Sequence, residues 1–318
     1  MQMPIADFHC DVLFKLLEDE RLSFRDDTSG KLDVTYKRLK QAKSVFQTFA
    51  IFVQPGDNAG IEPYFKSIDL FYRCVLPNPD IAFIQYKDDL ERSLAEGKIG
   101  AMLSLEGLDG LQGDPAMLRI MYRLGVRAAG FTWNNANWAA DGAMEERGAG
   151  LTAQGKAFVR ECDELGMMLD VSHLSERAFW DMVDTASKTV IASHSNAASV
   201  LPHKRNLSDD QIKAIIALEG LIGVTFVPYF VSGSEVVTID DLLRHVERIC
   251  ELGGERHLML GSDFDGIARY IDKLHNPADV IHLQDALLKR YSARQTERFL
   301  SGNTIRFLRE RLPERSSS

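Results

Sequence analysis

Short apolar runs recur along the chain, each followed by a polar turn and then a stretch with helical periodicity. The runs that read as strands are Ile5–His9, Val45–Val53, Ile99–Leu105, Val126–Phe131, Met167–Val171, Thr189–Ala192, Leu221–Phe226 and Leu258–Gly261. Most are continuously apolar, as expected of parallel strands covered on both faces. The helical pattern lies between them, in Asp88–Glu96, Ala153–Leu165, Glu176–Thr185, Asp209–Leu218, Ile239–Leu252 and Asn276–Lys289. Gly97, Gly125, Gly166 and Gly220 each stand just ahead of a strand, where glycine closes a helix. Eight β/α units predict an α/β fold of the (β/α)8 TIM-like barrel type, one catalytic domain over residues 1–310. Residues 311–318 (RLPERSSS) read as a disordered tail. An open doubly wound sheet is the rival, but no GxGxxG opens a helix anywhere in the chain.

Composition narrows the partners. The 318 residues carry 37 Lys+Arg against 46 Asp+Glu, a formal charge of −9. That is the wrong sign for nonspecific binding to nucleic acid or an anionic membrane. No apolar run approaches the ~20 residues of a membrane span. The opening Met1-Gln2-Met3-Pro4 lacks the basic and apolar regions of a signal peptide, so a cytoplasmic location is expected. Cys10, Cys74, Cys162 and Cys250 form no CxxC pair and read as reduced thiols, with Cys10 a packing residue.

In a barrel of this type the site is built where strands run out into the following loops. Five of the eight predicted strands end in residues able to hold a metal or move a proton: His9-Cys10-Asp11, Glu106, His173, His194 and Asp263. His9 and Asp11 are two apart on a strand, so both face one side and can grip one cation. His173 and His194 end consecutive strands and can grip a second, with Glu106 between them as a two-oxygen bridge. Imidazole with carboxylate suits Zn2+, and two ions ~3.5–4 Å apart activate water and polarise a carbonyl. Each residue also has a bland reading, a core histidine or a strand-ending turn; only together do they make a site. His245, His257 and His282 fall in predicted helices or a turn and read as solvated surface residues; His203 and His275 lie in loops and are unassigned.

The same segments resemble the signature of the renal (membrane) dipeptidase family, zinc dipeptidases of the amidohydrolase-like barrels. They are DFHCDV at 7–12, SLEG at 104–107, DVSHLSE at 170–176, ASHSNA at 192–197, RNLSDD at 205–210 and GSDFDG at 261–266, with GNTIRFLRE at 302–310 similar to the closing helix. Their order is collinear with the family's over nearly the whole chain, and the sequence looks like a bacterial-type member. The resemblance implies two Zn2+ per chain, one on His9, Asp11 and Glu106, the other on Glu106, His173 and His194. It implies hydrolysis of dipeptides, L-Xaa-L-Xaa and also L-Xaa-D-Xaa, by a hydroxide shared between the metals. Asp263 matches the general acid/base, and Arg205 matches the residue that binds the substrate's carboxylate, a role suited to a guanidinium fork.

Trp133 departs from the pattern, standing where mammalian members carry a histidine that contacts the scissile carbonyl. An indole N–H donates a hydrogen bond but carries no proton, so Asn134 or Asn135 is a substitute donor from that side. Tyr229 and Phe230 straddle the position of the family's substrate-lining tyrosine, and Tyr229 is assigned to it. Members of the family are often dimers, which allows a homodimer here. Two alternatives stay open: a barrel amidohydrolase acting on a lactam, lactone or acylated amino acid, and a metal-binding homologue impaired in turnover by Trp133.

Overall fold

The structure, a computed structural model, describes residues 2–54 and 60–315. Nine parallel strands form its sheet: β1 (Ile5–Asp7), β2 (Ser44–Phe52), β3 (Ile81–Phe83), β4 (Ile99–Glu106), β5 (Val126–Gly130), β6 (Met168–Asp170), β7 (Val190–Ile191), β8 (Ile222–Val224) and β9 (Leu258–Leu260). Eight of them run side by side in the order β7-β6-β5-β4-β2-β1-β9-β8. The ends meet: Ala192 bridges Ile222 in parallel, and Gly223 N–H donates to Ala192 O at 2.7 Å. The predicted (β/α)8 barrel is therefore the fold, with β3 added beside the start of β4.

The strands carry two apolar layers. The larger packs their outer faces against the helices. The smaller gathers Ala6, Phe8, Phe46, Met102, Ala128, Met168, Ile191 and Met259 with Ile305, Phe307 and Leu308 of the last helix, Asn303–Arg311. A barrel of this size is filled by side chains rather than open. The final helix packs against that filling and leaves the opposite, C-terminal end for chemistry.

Helix starts near that end are set by local chemistry. Ser175, two residues beyond His173, accepts from Ala178 N–H and caps Glu176–Thr185. Ser208 with Gln211, and Thr238 with Asp241, form reciprocal capping boxes for Asp209–Ala217 and Ile239–Glu251. These helices match the predicted ones closely, as do Lys87–Ala95, Ala153–Leu165 and Val280–Leu288. Val12–Glu18, Tyr36–Gln41, Glu62–Leu70 and Pro115–Arg123 were not among them. The first of these begins at Asp11, an N-cap residue type whose side chain makes no cap hydrogen bond here.

Three expectations need correction. His245 and His257 are buried rather than solvated. His245 Nδ1 accepts from Ala197 N–H at 3.1 Å and its Nε2 donates to Val231 O at 2.9 Å, tying together the loops after β7 and β8. His257 Nδ1 donates to Gly220 O, while His282 is exposed as expected. The stretch from Arg311 is held as far as Arg315: Leu312 is buried, Lys87 N–H donates to Pro313 O, and Arg315 pairs with Asp89. Residues 316–318 lie outside the described ones. Cys10 packs in the strand–helix layer and donates Sγ–H to Thr48 O. No helix among the described residues is long and apolar enough to cross a membrane.

The helix stop at residue 220 also works differently from its glycine signal. Glu219, not Gly220, takes the left-handed conformation, at φ 56°. Gly220 is required by proximity, since a Cβ there would lie 2.1 Å from Val190 O. Gly220→Ala is expected to destabilise the fold by about 1–3 kcal/mol. Glu219→Gly, which relieves left-handed strain, should instead be neutral or stabilising by up to about 1 kcal/mol. Urea unfolding of the two variants checks the contrast.

Candidate active site

The five strand-end ligand candidates and Asp263 converge at the C-terminal mouth of the barrel. Glu106, the last residue of β4, lies at their centre. Its Oε2 is 3.5 Å from His9 Nε2, and its Oε1 is 2.9 Å from His173 Nε2 and 3.7 Å from His194 Nε2. His9 Nε2 is also 3.5 Å from Asp11 Oδ2 and 3.6 Å from Asp263 Oδ1. His173 and His194 bring their Nε2 atoms within 2.8 Å of each other. Each carboxylate oxygen of Glu106 thus addresses a different set of imidazoles.

Burial and mutual charge set the protonation of this cluster. Burial, reinforced by the Arg205 guanidinium, pushes His173 down to about 4. Burial and the neighbouring His9 hold His194 well below its ordinary value. Both imidazoles are therefore neutral at pH 7, the form that binds a metal. His9 goes the other way: burial opposes its charge, but Glu106 and Asp11 outweigh burial and raise it. Burial also tends to protonate Glu106, and His9 and His173 overcome it to hold the carboxyl well below the usual range. Asp263 is pushed well up by burial and by Asp11 beside it.

The cluster fits divalent metal. His9 Nε2 and Asp11 Oδ1 are buried with no hydrogen-bond partner, a costly state that a cation would relieve. Donor atoms of His9, Glu106 and His194, and of His9, Asp11 and Asp263, lie within 4.8 Å of one another. Mixed imidazole and carboxylate donors suit Zn2+. Gly266 belongs to this packing, because a Cβ there would come 2.2 Å from Asp11 Oδ2 and 2.6 Å from Asp263 Oδ1.

Supports behind the cluster escaped the sequence reading. Asp170 accepts the N–H groups of Ser172 and Ser193, at 3.0 and 2.9 Å, and the Ser193 hydroxyl. Ser193 Oγ in turn takes the Nδ1 proton of His194 at 2.7 Å, leaving Nε2 as the ligand atom. Asp7 likewise accepts Ser262 N–H and O–H, at 2.9 and 2.6 Å, immediately before Asp263. The available signal was the serine that precedes His173, His194 and Asp263 alike. Asp265 accepts the N–H groups of Asp33 and Val34 and so anchors a loop distant in the chain. His173 and Asp263 both have positive φ, 71° and 68°, and such strain recurs at functional positions.

The remaining candidates surround the cluster unequally. Arg205 is buried: its Nη2 is 3.4 Å from His194 O, its Nε has no partner, and its guanidinium lies 5.5 Å from the Phe230 ring. Asn134 Oδ1 accepts from His173 Nδ1 at 2.9 Å, so this side chain orients a ligand candidate. Trp133 packs on Phe52 and His173, with ring centroids at 5.2 and 6.3 Å. Tyr229 is 55% exposed and sits at the rim under Arg269. Two cavities flank His173. One, of about 470 Å3, is lined by Arg205, Lys204 and Ser195. The other, of about 600 Å3, is lined by Asp11, Glu106, Asp263, Trp133, Asn134 and Tyr229.

Removing either support should loosen metal binding without unfolding the barrel. Ser193→Ala and Asn134→Ala are each expected to weaken Zn2+ affinity about 10–100-fold, read by competition with a chelating dye. Asn135→Ala, at an exposed neighbouring position, should leave the affinity unchanged.

The chain also resembles known proteins in sequence and in fold. The chain is 32% identical over 307 residues to dipeptidase tcpJ of Claviceps purpurea, covering 92% of this chain and 72% of that one. Its fold superposes with a TM-score of 0.89 on the metallo peptidase of Rhodobacter sphaeroides, solved with a phosphinate mimic of L-Ala-D-Ala, at 24% identity over 98% of this chain and 100% of that one. It superposes equally well, at 25% identity, on dipeptidase AC, a metallo peptidase of family M19, covering 98% of this chain and 99% of that one. The family model for membrane dipeptidase matches residues 1–317. The chain belongs to the membrane dipeptidase family, peptidase family M19, and is a metal-dependent peptide-bond hydrolase.

Proposed function

We propose that this enzyme hydrolyses free dipeptides, of L-Xaa-L-Xaa and L-Xaa-D-Xaa configuration, with two Zn2+ held by His9, Asp11, Glu106, His173 and His194. The observation that carries the reading is charge on either side of His173. The buried guanidinium of Arg205 lies in one cavity and the carboxylates of Asp11, Glu106 and Asp263 line the other. A dipeptide has one carboxylate a single residue beyond its peptide bond, so Arg205 can hold that carboxylate while the bond lies at the metal ligands. Arg205 is pushed down only to about 10, so it stays charged at neutral pH. A buried cation with an unpaired Nε is an anchor for a carboxylate.

Bound divalent metal supplies a water of lowered pKa and polarises the scissile carbonyl. Asp263 Oδ1, 3.6 Å from His9 Nε2, takes the proton of the attacking water and returns it to the leaving amine. Arg205 fixes the peptide's C-terminus and so the distance from carboxylate to scissile bond. That ruler admits dipeptides and rejects longer chains. Trp133 cannot transfer a proton and takes no part in this exchange.

Two measurements test the reading. Chelation should abolish release of amino acids from an L-L and L-D dipeptide panel, and Zn2+ should restore it; no metal-dependent release across the panel overturns the proposal. Arg205→Ala is expected to lower kcat/KM on Ala-Ala by at least about tenfold. Amidating the dipeptide should harm the wild-type enzyme far more than the variant. A variant that hydrolyses Ala-Ala normally would point to a substrate without a carboxylate, such as a lactam or lactone.

A further inference from the structure

If a dipeptide lies across the site with its carboxylate on Arg205, its first residue occupies the 600 Å3 cavity. The wall of that cavity is aromatic. Phe14, on the helix that follows Asp11, meets Phe52 at the end of β2 edge to face, with ring centroids 5.2 Å apart. Phe52 meets Trp133, from the loop after β5, also at 5.2 Å. The three rings form one continuous surface leading to His173. Phe14 and Trp133 are half-buried, each with part of its ring open to the cavity.

Charge in the same cavity is divided. Once Asp11 and Glu106 hold metal, Asp263 is the acidic group left facing the cavity, and it disfavours an acidic side chain. Arg269 is engaged by Glu235 O, at 2.8 Å, and by the Tyr229 ring. Lys15 also lines the cavity and has no ion pair among the described residues. A volume of about 600 Å3 lies within the ~300–1,000 Å3 typical of small-molecule sites and leaves room for a large side chain.

We infer that the Phe14–Phe52–Trp133 wall is the specificity surface for the substrate's first residue, selecting dipeptides that begin with an aromatic or large aliphatic side chain. The inference rests on the dipeptide reading above. Trp133 then has a positive role: the position that departs from the mammalian family pattern supplies apolar contact in place of a polar one. Side chains that add apolar atoms against this wall gain in kcat/KM, and each added methylene in such a pocket is worth roughly tenfold or more.

Steady-state kinetics of the Zn2+-loaded enzyme on Phe-Ala, Leu-Ala, Ala-Ala, Gly-Ala and Glu-Ala tests this. Phe-Ala and Leu-Ala should exceed Gly-Ala in kcat/KM by at least about tenfold, with Glu-Ala lowest. The Phe-Ala to Gly-Ala ratio should fall at least fivefold in Phe14→Ala and in Trp133→Ala, and be largely retained in Trp133→Phe. Phe14→Ala keeps the test valid if removing Trp133 disturbs His173. A flat profile, or a preference for Gly-Ala, overturns the inference and leaves the dipeptidase reading standing. Preference for Glu-Ala also overturns it, since Lys15 rather than the aromatic wall would then select. Failure to cleave any of the five would count against the dipeptidase reading itself.

Discussion

Everything at the mouth of this barrel follows from burying three carboxylates, Asp11, Glu106 and Asp263, against three imidazoles. Burial alone would neutralise acids and bases alike. The cluster instead settles into a mixed state, with His173 and His194 neutral, Glu106 ionised and His9 drawn toward charge. Such a group is held together by positive charge that its own side chains supply incompletely, which suits it to a cation rather than to a core. The surrounding structure keeps that group from rearranging. Ser193 and Asn134 fix the ring nitrogens of His194 and His173, and Asp170 and Asp7 hold the serines from behind.

The loops that frame the site are clasped to one another. Asn196 and Thr225 exchange hydrogen bonds, Asn206 donates to Phe230 O, and the His203 ring packs on that of Phe230. Buried His245 joins the same two loops. Arg205 is therefore carried on a braced segment, so its distance from the metal ligands is a property of the fold and not of a flexible side chain.

Much of this was legible in the chain before any coordinates. Continuously apolar strands and glycine stops give the barrel, because doubly covered parallel strands have few other ways to read. Strand-end His9, Glu106, His173, His194 and Asp263 stand out because chemistry in such barrels gathers at one end. What stayed hidden depends on contacts between distant segments. His245 reads as a surface residue on an amphipathic helix, since nothing local announces that Ala197 and Val231 will meet its two nitrogens. Asn134 reads as a substrate contact until the fold places it against His173, and Gly220 reads as a helix stop until Val190 comes alongside. The tail at 312–315 looks polar and free, yet Leu312 and Arg315 find partners more than two hundred residues away, as in the pair with Asp89.

The final helix gives the molecule an order of assembly. All the strand-end site candidates have been made by position 263, but the filling of the barrel is completed only by Ile305, Phe307, Leu308 and Leu312. During synthesis, a chain that already carries its whole catalytic set still has an open floor beneath it. The last helix is thus the piece without which the barrel's filling is incomplete, and a chain cut before it would lose that floor while keeping every strand-end residue.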